Sequence, residues 1–266
     1  MNRIEEKFIQ LKKENKKAFI AFITAGFPDL STTAKLVLSL EKNGVDIIEL
    51  GVPFSEPLAD GPIIQNASAY SLKKGVNLPK ILSLVKKLRQ NTNLPICLMT
   101  YYNPVFCFGD QRFIDQAVLA GVDGVIIPDL PPEEASEFID YANKSGLVNI
   151  CFVAPTSSRE RIKVIAKKAK GFIYYVSLTG VTGKRNRLSL DLKTKLAEIK
   201  KITSLPVCVG FGISNAQQAC EVSKISDGVI IGSVIVEKIK EHIGRADLVP
   251  QVSSFVKTLQ CIKKIN

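Results

Sequence analysis

The sequence predicts an α/β fold, a closed (β/α)8 TIM barrel with an extra N-terminal helix. Three observations lead there. Eight short apolar runs rich in β-branched residues alternate with segments of helical periodicity. The runs are hydrophobic almost throughout, as parallel strands buried on both faces must be. Three fragments echo one another: Gly-Val-Asp-Ile-Ile-Glu-Leu from 44, Gly-Val-Asp-Gly-Val-Ile-Ile-Pro from 121 and Ser-Asp-Gly-Val-Ile-Ile-Gly from 226. Such echoes point to one helix-to-strand junction used repeatedly. The 266 residues are 46% apolar, enough for a large core, and no Gly/Ser-rich linker divides them. Residues 1–266 therefore read as one barrel domain.

Each element has its own signal. Met1–Lys17 places Ile4, Phe8 and Leu11 among charges, the spacing of an amphipathic helix. The strands are expected at Phe19–Thr24, Val45–Leu50, Ile96–Thr100, Gly124–Ile127, Ile150–Val153, Phe172–Val176, Val207–Gly210 and Gly228–Ile231. Between them, Ser31–Lys42, Pro79–Gln90, Pro132–Ser145, Ser158–Lys170, Asp191–Ile202 and Asn215–Val222 carry helical periodicity. Gly/Pro/Asp loops join strand to helix throughout.

Composition removes several classes of function. There is one histidine, His242, in a polar helical stretch. Ser-His-Asp and Cys-His machinery and zinc sites built on several histidines are thereby excluded. The six cysteines, 97, 107, 151, 208, 220 and 261, contain no Cys-x-x-Cys pair, and three fall in strand-like runs. They read as free thiols of a reducing compartment. No apolar segment is long enough for a signal peptide or a membrane span, so the chain is expected to be cytoplasmic, without membrane contact. The net charge of +11 comes from lysine pairs spread over helix faces, without interleaved aromatics. That pattern predicts no nucleic-acid partner, although a positive field would draw in an anionic substrate.

In a parallel barrel the chemistry sits at the carboxyl ends of the strands. Those ends carry Gly26, Glu49, Tyr101-Tyr102-Asn103, Asp129, Thr156, Ser177, Gly210-Phe211-Gly212 and Gly232-Ser233. Without a lysine among them, a Schiff-base aldolase is disfavoured. The acids Glu49, Asp60 and Asp129 are dispersed, which argues against a metal site. Glu49 is the telling residue. It ends an apolar run whose only other charge is Asp46, and a lone carboxylate in such a place is usually kept for chemistry. A proline-stiffened loop then leads to Asp60, so two acids at one mouth form a natural proton donor and acceptor. Three glycine turns, Gly180-Val181-Thr182-Gly183, Gly210-Phe211-Gly212 and Gly232-Ser233, follow the last three strands. Backbone N–H groups there suit a phosphate. The Gly180–Arg187 stretch reads as a lid.

Along nearly its whole length the chain resembles the tryptophan synthase α subunit family. The motifs are Phe22-Ile23-Thr24-Ala25-Gly26-Phe27-Pro28, the segment 49–62, Tyr101-Tyr102-Asn103-Pro104, Pro128-Asp129-Leu130-Pro131-Pro132-Glu133-Glu134, Gly180-Val181-Thr182-Gly183, Gly210-Phe211-Gly212-Ile213-Ser214 and Gly232-Ser233. The resemblance implies retro-aldol cleavage of indole-3-glycerol phosphate to indole and glyceraldehyde 3-phosphate. Indole would pass to a β subunit, in an α2β2 assembly, and pyridoxal phosphate would belong to that partner alone. By the same resemblance Glu49 is the proton shuttle and Asp60 engages the indole N–H. Thr182 would position Asp60 on closure. Phe22, Thr100, Tyr174 and Phe211 would line the indole site, while Gly183, Gly212, Gly232 and Ser233 would hold phosphate. Glu56 stands where aspartate is usual and Thr100 where leucine is frequent. Alternative readings are another phosphate-sugar isomerase or epimerase, or a catalytically silent activating subunit.

Overall fold

The computed structural model describes residues 1–176, 185–210 and 212–263. Eight parallel strands close in sequence order: β1 Ala18–Thr24, β2 Ile47–Gly51, β3 Ile96–Met99, β4 Gly124–Ile126, β5 Val148–Val153, β6 Ile173–Val176, β7 Val207–Gly210 and β8 Gly228–Ile231, with β8 returning to β1. All eight expected strands are present, shifted at their ends by up to two residues. Their side chains are almost all buried, because the barrel interior lies on one face and a ring of helices on the other.

The helices are α1 Arg3–Lys13, α2 Leu30–Lys42, α3 Pro62–Lys73, α4 Leu78–Leu88, α5 Tyr102–Phe108, α6 Asp110–Ala120, α7 Ser136–Ser145, α8 Arg159–Lys168, α9 Arg185–Ile202, α10 Ala216–Ser223, α11 Ser233–Glu241 and α12 Leu248–Thr258, with a terminal 3-10 turn at Leu259–Lys263. Several begin at a side chain that caps a first-turn N–H: Asn2 for α1, Asp29 for α2, Asn77 for α4, Ser158 for α8 and Asn215 for α10. α1 is the extra N-terminal helix and buries Ile4, Phe8 and Leu11 against the barrel. α7 starts at Ser136 rather than at Pro132, since Pro131-Pro132 and the turn after them occupy the first residues.

The repeated junction fragments prove to be a device. Asp46, Asp123 and Asp227 each stand just before an even-numbered strand. Each accepts an amide at the start of the strand before it: Phe19 to Asp46 at 2.9 Å, Ile96 to Asp123 at 2.8 Å, Val207 to Asp227 at 2.9 Å. Their own amides return the bond to the same three residues' carbonyls at 2.8–2.9 Å. A cation then neutralises each acid. Lys263 reaches Asp46 at 2.8 Å, Lys200 reaches Asp227 at 2.8 Å, and Arg89 and Arg3 reach Asp123 at 2.6 and 2.9 Å. Strand pairs β1–β2, β3–β4 and β7–β8 are thereby locked at the base. Phe172 occupies the equivalent position before β6.

One expectation is overturned. Cys220 of α10 and Cys261 of the terminal 3-10 turn are joined as a disulfide, with Cα atoms 5.7 Å apart across 41 residues. Packing of the terminal turn against α10 brings them together, and no local spacing announces it. Cys97, Cys151 and Cys208 are free and buried, as expected, while free Cys107 is exposed.

Candidate active site

Strand register builds the site. Phe22 of β1 pairs with Glu49 of β2, which pairs with Cys97 of β3. Laterally paired residues of a parallel sheet face the same side, so these three form one row inside the barrel. Glu49 is 0% exposed, and both its carboxyl oxygens are buried without a hydrogen-bond partner among the described residues. The neighbouring Cys97 thiol is turned to the Ile48 carbonyl, at 3.5 Å. Burial first, and the charge of Asp60 second, push the Glu49 carboxyl up to about 8. At neutral pH Glu49 is a neutral acid with a proton to give.

Asp60 lies half-buried in the loop between β2 and α3. The Tyr101 hydroxyl donates to its Oδ2 at 3.1 Å and accepts the Ala59 N–H at 2.9 Å. Phe54 stacks on the Tyr101 ring with centroids 5.2 Å apart. The tyrosine, thus fixed from two sides, sets the height of the Asp60 loop over the barrel. Burial raises Asp60 to about 6, opposed by the Tyr101 bond. Asp60 is therefore ionised at pH 7 while Glu49 is not, which divides the pair into donor and anion.

Two rings stand where glycines make room. A Cβ on Gly51 would lie 2.6 Å from the Phe22 ring, and one on Gly210 2.6 Å from the Tyr174 hydroxyl. Phe152 packs on Tyr174 with centroids 4.7 Å apart. Thr100, buried just past β3, donates its hydroxyl to the Tyr101 carbonyl at 3.2 Å, so the polar group at this position is already satisfied. At the other end, Gly232 turns β8 into α11, whose first residue is Ser233. The first N–H groups of a helix have no carbonyl within it and favour an anion. Gly212 has φ +74°, the left-handed region that glycine tolerates best, and lies exposed after β7.

Glu49, Asp60, Phe22, Tyr174 and Gly232 converge on this mouth. Thr182, Gly183 and Phe211, and with them most of the expected lid, lie outside the described residues. Asp129 is engaged elsewhere, accepting the Tyr102 N–H at 2.8 Å at the start of α5. Among the described residues no group of three His, Cys, Asp or Glu side chains could hold a metal ion. The sequence reading missed the part played by Tyr101, although it placed the residue at a strand end. It also missed Gly51, whose importance depends on a ring from the neighbouring strand.

A closed parallel barrel with a neutral buried acid, a second ionised acid above it and a helix N-terminus at the same mouth defines a (β/α)8 enzyme of the acid–base type. Comparison with known proteins narrows the class. The family model described as tryptophan synthase alpha chain matches residues 8–263. Relatives of that description include the proteins of Geotalea daltonii, 50% identical over 98% of both chains, and Caldanaerobacter subterraneus, 48% identical over 98% of this chain and 99% of that one. Among solved structures, the tryptophan synthase subunit alpha of Legionella pneumophila superposes with a TM-score of 0.91 at 37% identity, covering 98% of each chain. This chain belongs to the tryptophan synthase alpha chain family, and it is a carbon–carbon lyase subunit of that enzyme.

Proposed function

We propose that Glu49 and Asp60 carry the retro-aldol cleavage of indole-3-glycerol phosphate in this chain. The observation that carries the reading is the opposed protonation of two acids facing one mouth, about 8 for Glu49 and about 6 for Asp60. Neutral Glu49 gives its proton to C3 of the indole ring, and positive charge develops at the ring nitrogen. Ionised Asp60 offsets that charge at the N–H. Glu49, now a carboxylate, accepts the proton of the side-chain hydroxyl. The O–H electrons form the new C=O bond, and the electrons of the breaking C–C bond return to the ring. Glyceraldehyde 3-phosphate and indole leave, and Glu49 is again protonated. The chemistry calls for no cofactor in this chain.

Phe22, Tyr174 and Thr100 flank the ring in this reading, joined by Phe211. Gly212, Gly232 and Ser233 hold the phosphate with Gly183, and Thr182 positions Asp60. The whole chain acts as one domain in the cytoplasm, in an α2β2 assembly with a β subunit that carries pyridoxal phosphate. Leu58, two residues from Asp60 and 91% exposed, and Phe106, 66% exposed, are uncovered apolar side chains suited to that partner. A β subunit seated there would order the Asp60 loop and raise the cleavage rate.

The test is indole release from purified chain, alone and with a β subunit plus serine. Activity alone, raised by the β subunit and blunted in that gain by Glu56→Lys, is expected. No indole from the wild-type chain under either condition would end the lyase reading, and no complex by ultracentrifugation would end the assembly reading.

A further inference from the structure

The mechanism leaves one buried polar atom at the mouth without a role. Thr24 ends β1 and is 1% exposed, yet its Oγ1 is buried with no hydrogen-bond partner among the described residues. Register pairs Thr24 with Gly51 just as it pairs Phe22 with Glu49. The hydroxyl therefore stands on the inner face, one layer nearer the mouth than the row of Phe22 and Glu49, beside a residue with no side chain. On the other side, β8 pairs with β1 as far as Ala21 with Ile231. The next step brings Gly232 beside Phe22, where a Cβ on Gly232 would lie 3.1 Å from that of Phe22.

A threonine at a strand end often serves the following loop. Here Thr33 does so, accepting the Gly26 N–H at 3.0 Å and donating to the Asp29 carbonyl at 2.8 Å. Thr24 is left with a desolvated hydroxyl that valine, of the same shape, would not carry, and an orphaned buried hydroxyl is a net loss to the fold. We infer that Thr24 is a substrate-contacting residue, its hydroxyl bonding an oxygen on the hydroxylated carbon chain between the ring and the phosphate. The position supports this assignment, because Thr24 stands on β1, between the strand of Glu49 and the strand that leads into α11, one layer nearer the mouth, where a substrate spanning the two would cross. The assignment rests on the phosphate-end and acid-pair reading above.

The experiment compares wild type, Thr24→Val and Thr24→Ser. Calorimetry measures binding of glycerol 3-phosphate against propyl phosphate, which keeps the phosphate and lacks the hydroxyls. Wild type and Thr24→Ser should prefer glycerol phosphate by about tenfold, the worth of one hydrogen bond, and Thr24→Val should lose that preference. Without ligand, Thr24→Val should unfold at the same temperature as wild type or higher. An undiminished preference in Thr24→Val would overturn the contact, and a lowered unfolding temperature would show a structural bond instead. Indole release by the wild type is scored separately, so a failed lyase reading and a failed Thr24 contact give different results.

Discussion

Glu49 works against the fold that holds it. Its carboxyl, ordinarily near 4.5, is pushed up to about 8 by burial. Across that window the native state keeps a proton that the unfolded chain has released, so stability falls as pH rises and is level below it. Glu49→Gln should therefore be more stable than wild type at pH 7–8, on the order of a few kcal/mol, with the gain vanishing toward pH 4. Thermal unfolding against pH measures this, and a pH-independent difference would contradict it. The same variant should release indole about 10²–10⁴-fold more slowly. In the wild type, kcat/KM should follow a bell, rising as Asp60 ionises near 6 and falling as Glu49 loses its proton near 8. Asp60→Asn should remove the acid limb along with most of the rate. Gly51→Ala should displace the Phe22 ring, since the new Cβ would stand 2.6 Å from it. We expect about 1–3 kcal/mol of lost stability and a raised KM, read by denaturant unfolding and steady-state kinetics. Glu49 was legible in the sequence because an acid in an apolar strand is conspicuous. Thr24 was not, because a threonine in a strand is ordinary until its partners are counted.

At the scale of elements, strands were easier to read than helices. β-branched runs mark buried parallel strands sharply, and every one was found. α3, with its run of Gln65, Asn66, Ala67 and Ser68, has little amphipathic contrast, and α11 was read only as the glycine turn that opens it. The disulfide between α10 and the terminal turn could not be read, since it depends on how the last helices pack. The junction echo was legible as a repeat, while its purpose emerged only with the bonds to Phe19, Ile96 and Val207. Asp123 is the most heavily used of the three aspartates. Asp123→Ala would strip Ile96 of its acceptor and leave the partly buried Arg89 guanidinium without its counter-charge. Loss of one partner of a buried pair costs about 3–5 kcal/mol. The denaturant midpoint should fall accordingly, while kcat/KM of the folded enzyme stays near wild type because the junction lies at the opposite end of the barrel. A midpoint unchanged within error would mean that Arg89, through its bonds to the Gly121 and Leu94 carbonyls at 2.7 and 2.6 Å, holds the base unaided.

Considered whole, the molecule separates stability from chemistry by end. The amino ends of β2, β4 and β8 carry paired, neutralised aspartates, whereas Glu49 and Asp60 at the carboxyl ends have no ion pair among the described residues. The aspartate junctions also divide the barrel unevenly, since three of the four odd–even strand pairs are tied and the fourth, β5–β6, has Phe172 where an aspartate would be. Local opening takes the free energy of the bonds it breaks, so an odd–even pair without the aspartate tie opens more readily than one that has it. Native-state deuterium uptake should thus map a seam. The amides of Phe19, Ile96 and Val207 should exchange only through global unfolding, and those of β5 and β6 through a smaller, less denaturant-sensitive opening. The seam borders the strand that carries Tyr174, so this untied part of the wall is also the part beside the slot proposed for the indole ring. A ligand that fills the proposed slot should slow exchange in β5 and β6 while leaving the three tied amides unchanged.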